Sequence, residues 1–297
     1  MQSLKIDASQ VDLRESLRGF SFLWGDPCCR QEPGSFERAT LTPAGPGSIK
    51  IEWNESGAEV SAWGDGKDWL LENARSLLGV DDNISTFDPR HKFVRRIYGQ
   101  FPRLRIGGTK TVWHDLAWLI LQQRVSTKEA SWNWKALVTE WGRPAPGPGG
   151  LLLPPESNLV ARKNYTDFHA FGIERKRATY LISAAKAASR LQEIVDLPSD
   201  KADQRLQSVP GIGPWTAGYV VATTLGDADA IIPGDYNLPS TVAWVLAGEA
   251  RANDARMFEL LEPFAGHRWR VCRLMMAAGL KAPRRGHRQK IMDIRRV

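Results

Sequence analysis

LQSVPGIGPWTAGYV, residues 206–220, sets two glycines and two prolines inside an otherwise apolar, helix-like run. Pro210-Gly211-Ile212-Gly213 is strong enough punctuation to end one helix. Pro214 then falls at the first position of a new one, where its missing N–H costs nothing and its fixed φ suits the helix. The spacing predicts two helices joined by a hairpin over about 203–225. The second helix begins with free backbone amides at the positive end of its dipole, a ready site for a phosphate. An ordinary helix–turn–helix corner fits the spacing equally well.

Working outward, the chain reads as mainly helical behind a small N-terminal α+β unit. In residues 1–82, short alternating runs (FERATLTP, SIKIEW, AEVSAWG) split by GPGS and NESG predict an antiparallel sheet. DWLLENARSLLG then predicts one amphipathic helix stopped at Gly79. Residues 83–297 form the helical part. A helical period runs from about 114 to 142 with a break at RVST, and again over 174–194. GRPAPGPGGLLLPPES, 142–157, reads as a connector rich in Pro and Gly. Beyond the hairpin, ADAIIPGDYNLPSTVAWVLAG passes through a loop into a helix, and FAGHRWRVCRLMMAAG supplies the last.

Composition narrows the function. Forty Lys and Arg against 33 Asp and Glu leave +7, a mild push towards a polyanion. The tail KAPRRGHRQKIMDIRRV is basic, and it either faces DNA or is merely solvated. Three cysteines, two of them adjacent, form neither a disulfide framework nor a zinc pattern, which fits a reducing, cytoplasmic setting. The charged N-terminus is no signal peptide, and no apolar stretch is long enough to predict a membrane span.

The hairpin VPGIGPWTAGY, followed some twenty positions later by IIPGDYNL and preceded by LILQQRVSTKEA, resembles the helix-hairpin-helix DNA glycosylases. Within them it is similar to the DNA-3-methyladenine glycosylase II group. The resemblance covers roughly residues 80–297, and the N-terminal unit is only weakly similar. It implies a monomeric enzyme acting on damaged double-stranded DNA, with no membrane partner. The expected reaction is hydrolysis of the N-glycosidic bond of an alkylated purine in base excision repair.

Asp235 takes the place of the family's catalytic carboxylate, which stabilises an oxocarbenium-like sugar and helps water attack. One carboxylate suffices when the leaving base is already cationic. Its dull reading is a turn or N-cap residue, the role expected of Asp227 and Asp229. Trp215 and Tyr219, four apart on one helix face, take the positions of the family's base pocket, where electron-rich faces attract a cationic purine. Relatives add a tryptophan from the last helix, where RLMMAAG offers Met275 and Met276. Phe20, Phe22 or Trp24 of the N-terminal unit could supply the missing wall. Gly211, Gly213 and Thr216 are expected to grip phosphate.

Gln123 and Arg124 fall on the segment that family members push into the duplex, with the wedge itself at Arg124. Main-chain carbonyls at Gln207, Val209 and Ile212 match those holding a monovalent cation in relatives, and carbonyls carry no sequence signal for it. No cofactor is otherwise required. The strand-cutting relatives place a lysine where this chain has Trp215, and their iron–sulfur branch needs four cysteine ligands. Both features are therefore expected to be absent. Arg268 matches a family arginine, either in a structural ion pair or on DNA, and the five histidines are expected to be structural or solvent-facing. Two rivals stand beside this reading: a non-catalytic lesion-binding module, which needs no Asp235, and a glycosylase for oxidised or mismatched bases.

Overall fold

Phe36, Ile51 and Val60 lie in register across three neighbouring strands and are fully buried, the row on which the N-terminal sheet is built. The structure, a computed structural model, describes residues 1–21, 23–54 and 57–283. The tail 284–297 and Phe22 lie outside the described residues. Strands β1 (Gln2–Ile6), β2 (Cys29–Glu32), β3 (Ser35–Thr42), β4 (Gly45–Asn54) and β5 (Gly57–Gly64) are antiparallel in the order β1-β5-β4-β3-β2. One sheet face is closed by α1 (Leu13–Leu17), α2 (Lys67–Glu72) and α3 (Ala74–Leu78). The single helix expected before Gly79 is thus two, broken at Asn73, and Gly79 ends the second in the left-handed conformation (φ 73°).

The rest is helical: α4 (Lys92–Gln100), α5 (Val112–Leu121), α6 (Thr127–Trp141), α7 (Ser157–Ala161), α8 (Arg175–Gln192), α9 (Ser199–Gln207), α10 (Pro214–Val220), α11 (Leu238–Ala247), α12 (Asp254–Leu261) and α13 (Arg268–Ala277). Every residue of α5 is buried, and the helix contacts α6, α8, α10 and β3. A helix buried on every side, with His114 and Asp115 as its polar members, belongs in the middle of a core. The break expected at RVST is the turn between α5 and α6.

Two devices join the sheet to the helices. Arg38 of β3 donates to Asp115 of α5 at 2.6 Å, with both side chains almost fully buried. The same carboxylate accepts from Thr109 and, at 2.7 Å, from Thr224 beyond α10, while His114 meets Thr40 of β3 at 3.0 Å. The second device is the connector. It folds into a two-residue strand pair, β6 (Arg143–Pro144) and β7 (Leu152–Leu153), laid along β3. Ser48 donates to the Pro146 carbonyl, Arg30 to that of Gly149 (3.0 Å), and the Leu152 amide to that of Pro27 (2.9 Å). Leu151 and Leu153 bury themselves against Ala39.

Breaking a buried ion pair by removing one charge strands the other, at a cost of about 3–5 kcal/mol. Asp115→Asn should lower stability by that amount in urea denaturation, and Arg38→Met with Asp115→Leu should recover most of it. A loss in Asp115→Asn below about 1 kcal/mol would show that the pair does not join the two units.

Candidate active site at the hairpin

The turn between α9 and α10 is anchored by buried Val209 and Ile212. Gly211 (φ 92°) lies under the Tyr180 ring, where a Cβ would come within 2.1 Å of it, so geometry and space both exclude a side chain. Gly213 faces open space, with nothing within 4 Å of a built Cβ. Pro214 opens α10, and the amides of Trp215 and Thr216 are among the donors that a helix start leaves without an intrahelical partner. The side chain of Thr216 does not face outward with them. It is buried, and its hydroxyl accepts from Gln123 Nε2 at 2.9 Å. Any phosphate contact there falls to the backbone.

Gln123 spends its other amide hydrogen on the Gly211 carbonyl, also at 2.9 Å. Its side chain therefore braces the end of α5 against the hairpin. Arg124, next in the chain, is exposed and in the left-handed region (φ 61°), uncommon for a residue with a Cβ. That backbone turns its guanidinium out at the tip between α5 and α6.

Asp235 is brought to this hairpin by close approach of backbones. A Cβ on Gly218 would meet the Ile231 carbonyl at 2.4 Å, so only glycine lets α10 lie against the segment leading to Asp235. Gly234 (φ 76°) turns the chain, and its amide donates to Asp254 of α12 at 2.8 Å. Asp235 Oδ1 accepts from the amides of Asn237 and Leu238, both at 2.9 Å, as a cap on α11. Oδ2 accepts from Trp215 Nε1 (3.0 Å) and the Tyr219 hydroxyl (3.2 Å). The two aromatic rings meet edge to face at 5.0 Å. A carboxylate offers about four lone-pair sites, and four donors are directed at this one. It is held in place as a fixed negative charge beside an aromatic wall.

The last helix does contribute a tryptophan, but earlier than RLMMAAG. Trp269, in the first turn of α13, packs edge-on against Tyr219 at 5.8 Å. It is buried, so it backs Tyr219. The signal was present in GHRWR, an aromatic at the start of the helix. Met275 is buried and Met276 exposed. Burial and the Asp235 charge push the neighbouring Cys272 thiol up to about 12. Burial also brings Arg273 down to about 10, and its guanidinium donates to the Glu15 carbonyl at 3.1 Å, tying α1 to the back of the site. Phe20 packs against the core of the sheet unit, and Trp24 stands by α6, its amide donating to Ser131 at 3.2 Å.

Arg268 resolves as an ion pair. Its side chain clasps Asp229 through Nε (2.8 Å) and a second nitrogen, and its amide donates to the same carboxylate. Burial raises the Asp229 carboxyl, and the Arg268 bonds more than reverse this, leaving it below the usual range. Asp229 is thus more than the turn residue expected. Asp227 does fill that role, accepting from the Asp229 amide at 2.7 Å.

No family model matches the chain. In sequence it is similar to the probable bifunctional transcriptional activator/DNA repair enzyme AlkA of Mycobacterium tuberculosis, 31% identical over 259 residues, covering 80% of this chain and 51% of that protein. It is also similar to the DNA-3-methyladenine glycosylase of Bacillus subtilis, 29% identical over 169 residues, 52% of this chain and 54% of the other. The chain therefore spans about half the length of the curated relatives it matches. Among solved structures, the 3-methyladenine DNA-glycosylase from Archaeoglobus fulgidus superposes with a TM-score of 0.78 at 18% identity, covering 93% of this chain and 98% of that one. The shared fold thus takes in the N-terminal sheet, where sequence similarity was weak.

Burial, reinforced by the Asp235 charge, holds the Tyr219 phenol well above its ordinary value of 10.0. A folded-state value raised above the unfolded one contributes stability that is present below about pH 10 and is lost as pH climbs through the folded value. Tyr219→Phe, which cannot ionise, should therefore show a flatter loss of stability above pH 10 in denaturation series. Identical alkaline slopes for the two proteins would place Tyr219 in an ordinary, solvated setting.

Proposed function

Starting from a chain that has the helix-hairpin-helix DNA glycosylase fold and resembles the DNA-3-methyladenine glycosylases, we propose that it removes alkylated purines from duplex DNA. The observation that carries this reading is the tie between Asp235 and the two aromatic residues, which makes charge and pocket wall one unit. A purine alkylated on its ring is cationic and electron-poor. Aromatic faces attract it by about 1–2 kcal/mol more than a neutral base when desolvated. It also leaves the sugar without strong acid assistance. What remains to be stabilised is the positive charge that develops on the sugar, and a carboxylate aimed by four donors supplies that without reorganising. With those donors on it, Asp235 acts mainly through its charge, and water attacks the opened face of the sugar.

Extruding the base costs a few kcal/mol, least for a damaged base, which adds to selectivity. The hairpin amides at Trp215 and Thr216 hold the phosphate backbone, Gly213 leaves room for it, and Arg124 fills the gap in the stack. The carbonyls of Gln207, Val209 and Ile212 edge the same turn. Val209 accepts from the Ile212 amide at 3.0 Å, and a carbonyl has a second lone pair to offer. Such hard oxygen donors suit a monovalent cation that would pin the turn. The position of a strand-cutting lysine is held by Trp215, so no Schiff base forms there and the strand is left intact.

Asp235→Asn should abolish base release from alkylated duplex DNA and retain binding to an abasic-site analogue. In the parent protein, product strands should stay uncut until alkali is added. More than a tenth of parent release in the variant would remove Asp235 from its role.

The exposed guanidinium of Arg124 is planar, stacks on bases and offers donors to the orphaned base opposite. Arg124→Ala should lose excision from duplex far more than from single strands, where no stack is held open. Equal losses on the two substrates would make Arg124 a phosphate contact.

A further inference from the structure

Two of the most exposed aromatic side chains lie at α6, Trp132 on the helix itself and Trp24 in the loop fastened beside it. Trp24 is 70% exposed and Trp132 49%. The chain at Trp24 is fastened to Ser131, the residue before Trp132, by its amide. Lys128 Nζ lies over the Trp132 ring at 4.8 Å, one helical turn back. Lys135 Nζ reaches the other side, 3.9 Å from where a Cβ would stand on Gly25 (φ 65°). Over its first two and a half turns α6 exposes only Thr127, Lys128, Trp132 and Lys135. The carboxylates nearby turn away from this face: Glu129 pairs with buried Arg177 at 3.3 Å, and Asp26 accepts from buried Trp134 at 2.8 Å.

The place of this face in the fold matters as much as its chemistry. Ser126 caps α6, two residues after the exposed tip at Arg124, so the face continues directly from the wedge turn. We infer that it is a second DNA contact, in which Trp24 and Trp132 stack on nucleotides unstacked beside the lesion while Lys128 and Lys135 hold their phosphates. The inference rests on the reading of the hairpin site as a DNA glycosylase. A wedge entering the duplex unstacks the neighbouring bases and bends the helix. The π-faces so exposed are what a solvent-facing tryptophan binds, without regard to sequence, and alternating aromatic and cationic residues are the usual platform for it. Four residues that core packing does not explain then have one role, lengthening the grip along the strand next to the excision site.

The test uses the full chain and three readouts: affinity for a duplex with an abasic-site analogue, its salt dependence, and single-turnover base release at saturating enzyme. Trp24→Ala with Trp132→Ala should weaken binding about tenfold, as expected for lost base stacking, and leave the salt slope alone. Lys128→Gln with Lys135→Gln should flatten the log–log salt slope by about 0.9 for each phosphate released. Both variants should keep the single-turnover rate within about twofold, since neither touches Asp235. Should alanine at Trp24 loosen its loop, Trp132→Ala alone, on a helix surface, carries the same test. Unchanged affinity and slope in variants that melt with the parent overturn the inference, and assign the face to another kind of partner such as a protein. If the parent chain itself neither binds the duplex nor releases base, the hairpin reading falls and takes this one with it.

Discussion

Arg38 and Asp115 meet at 2.6 Å with almost no exposure to water, and the positions of three separate pieces of chain depend on that contact. Asp115 belongs to α5, which leads into the turn carrying Gln123 and Arg124. Arg38 belongs to the N-terminal sheet. Thr224, which donates to the same carboxylate, lies in the last turn of the helical segment that Pro214 opens. One buried charge therefore sets the turn at Arg124, the sheet and α10 in a common frame. Such a pair adds little net stability, because desolvation consumes most of the attraction. Its effect is on geometry: a docking that separated the two would leave a charge buried without its counter-ion. Burial works against the Arg38 charge, and Asp115 together with the nearby Cys29 and Asp26 more than compensates, so the guanidinium holds its proton more tightly than usual.

Within that frame the site is assembled by close approach of backbones. Gly211 admits the Tyr180 ring above the hairpin, and Gly218 admits the Ile231 carbonyl against α10. The first contact shapes the turn that presents free amides. The second brings the loop carrying Asp235 beneath Trp215 and Tyr219. Gln123 then bridges the two halves, one amide nitrogen bonded to the turn and to Thr216. The exposed tip at Arg124, the free amides of the turn and the Asp235 carboxylate are in this way joined through one set of contacts. The proposed reaction, in which a strand is gripped, a base withdrawn and a sugar stabilised together, would draw on such coupling. Trp269 and Arg273 extend it to the last helix and through Glu15 to α1, so the sheet unit supports the site from behind.

Much of this was legible along the chain. Glycines and prolines at 210–214 define the hairpin because their backbone preferences act within a residue or two. Spacing of four puts Trp215 and Tyr219 on one helix face by geometry alone. The helical breaks, the alternating strands of residues 1–82 and the tryptophan standing where a lyase would have lysine are likewise local features. What the chain could not disclose is which polar groups each side chain meets. Thr216 has the look of a phosphate ligand and is buried under Gln123. Arg268 could have faced DNA and instead clasps Asp229. A Pro/Gly-rich connector turns out to be laid along β3, and the last helix's tryptophan comes from HRWR.

The difference has one physical cause. Torsional preferences and helical or pleated periodicity are properties of a few consecutive residues, so the sequence by itself determined most of the elements, the turn at Gly211 and the set of chemically able side chains around Asp235. Partner choice depends on which surfaces come together. Arg38 and Asp115 are 77 positions apart, Gln123 and Thr216 are 93, and Trp24 and Ser131 are 107. Desolvation drives buried polar groups towards partners but leaves open which ones, and only the packing of the helices against the sheet decided it.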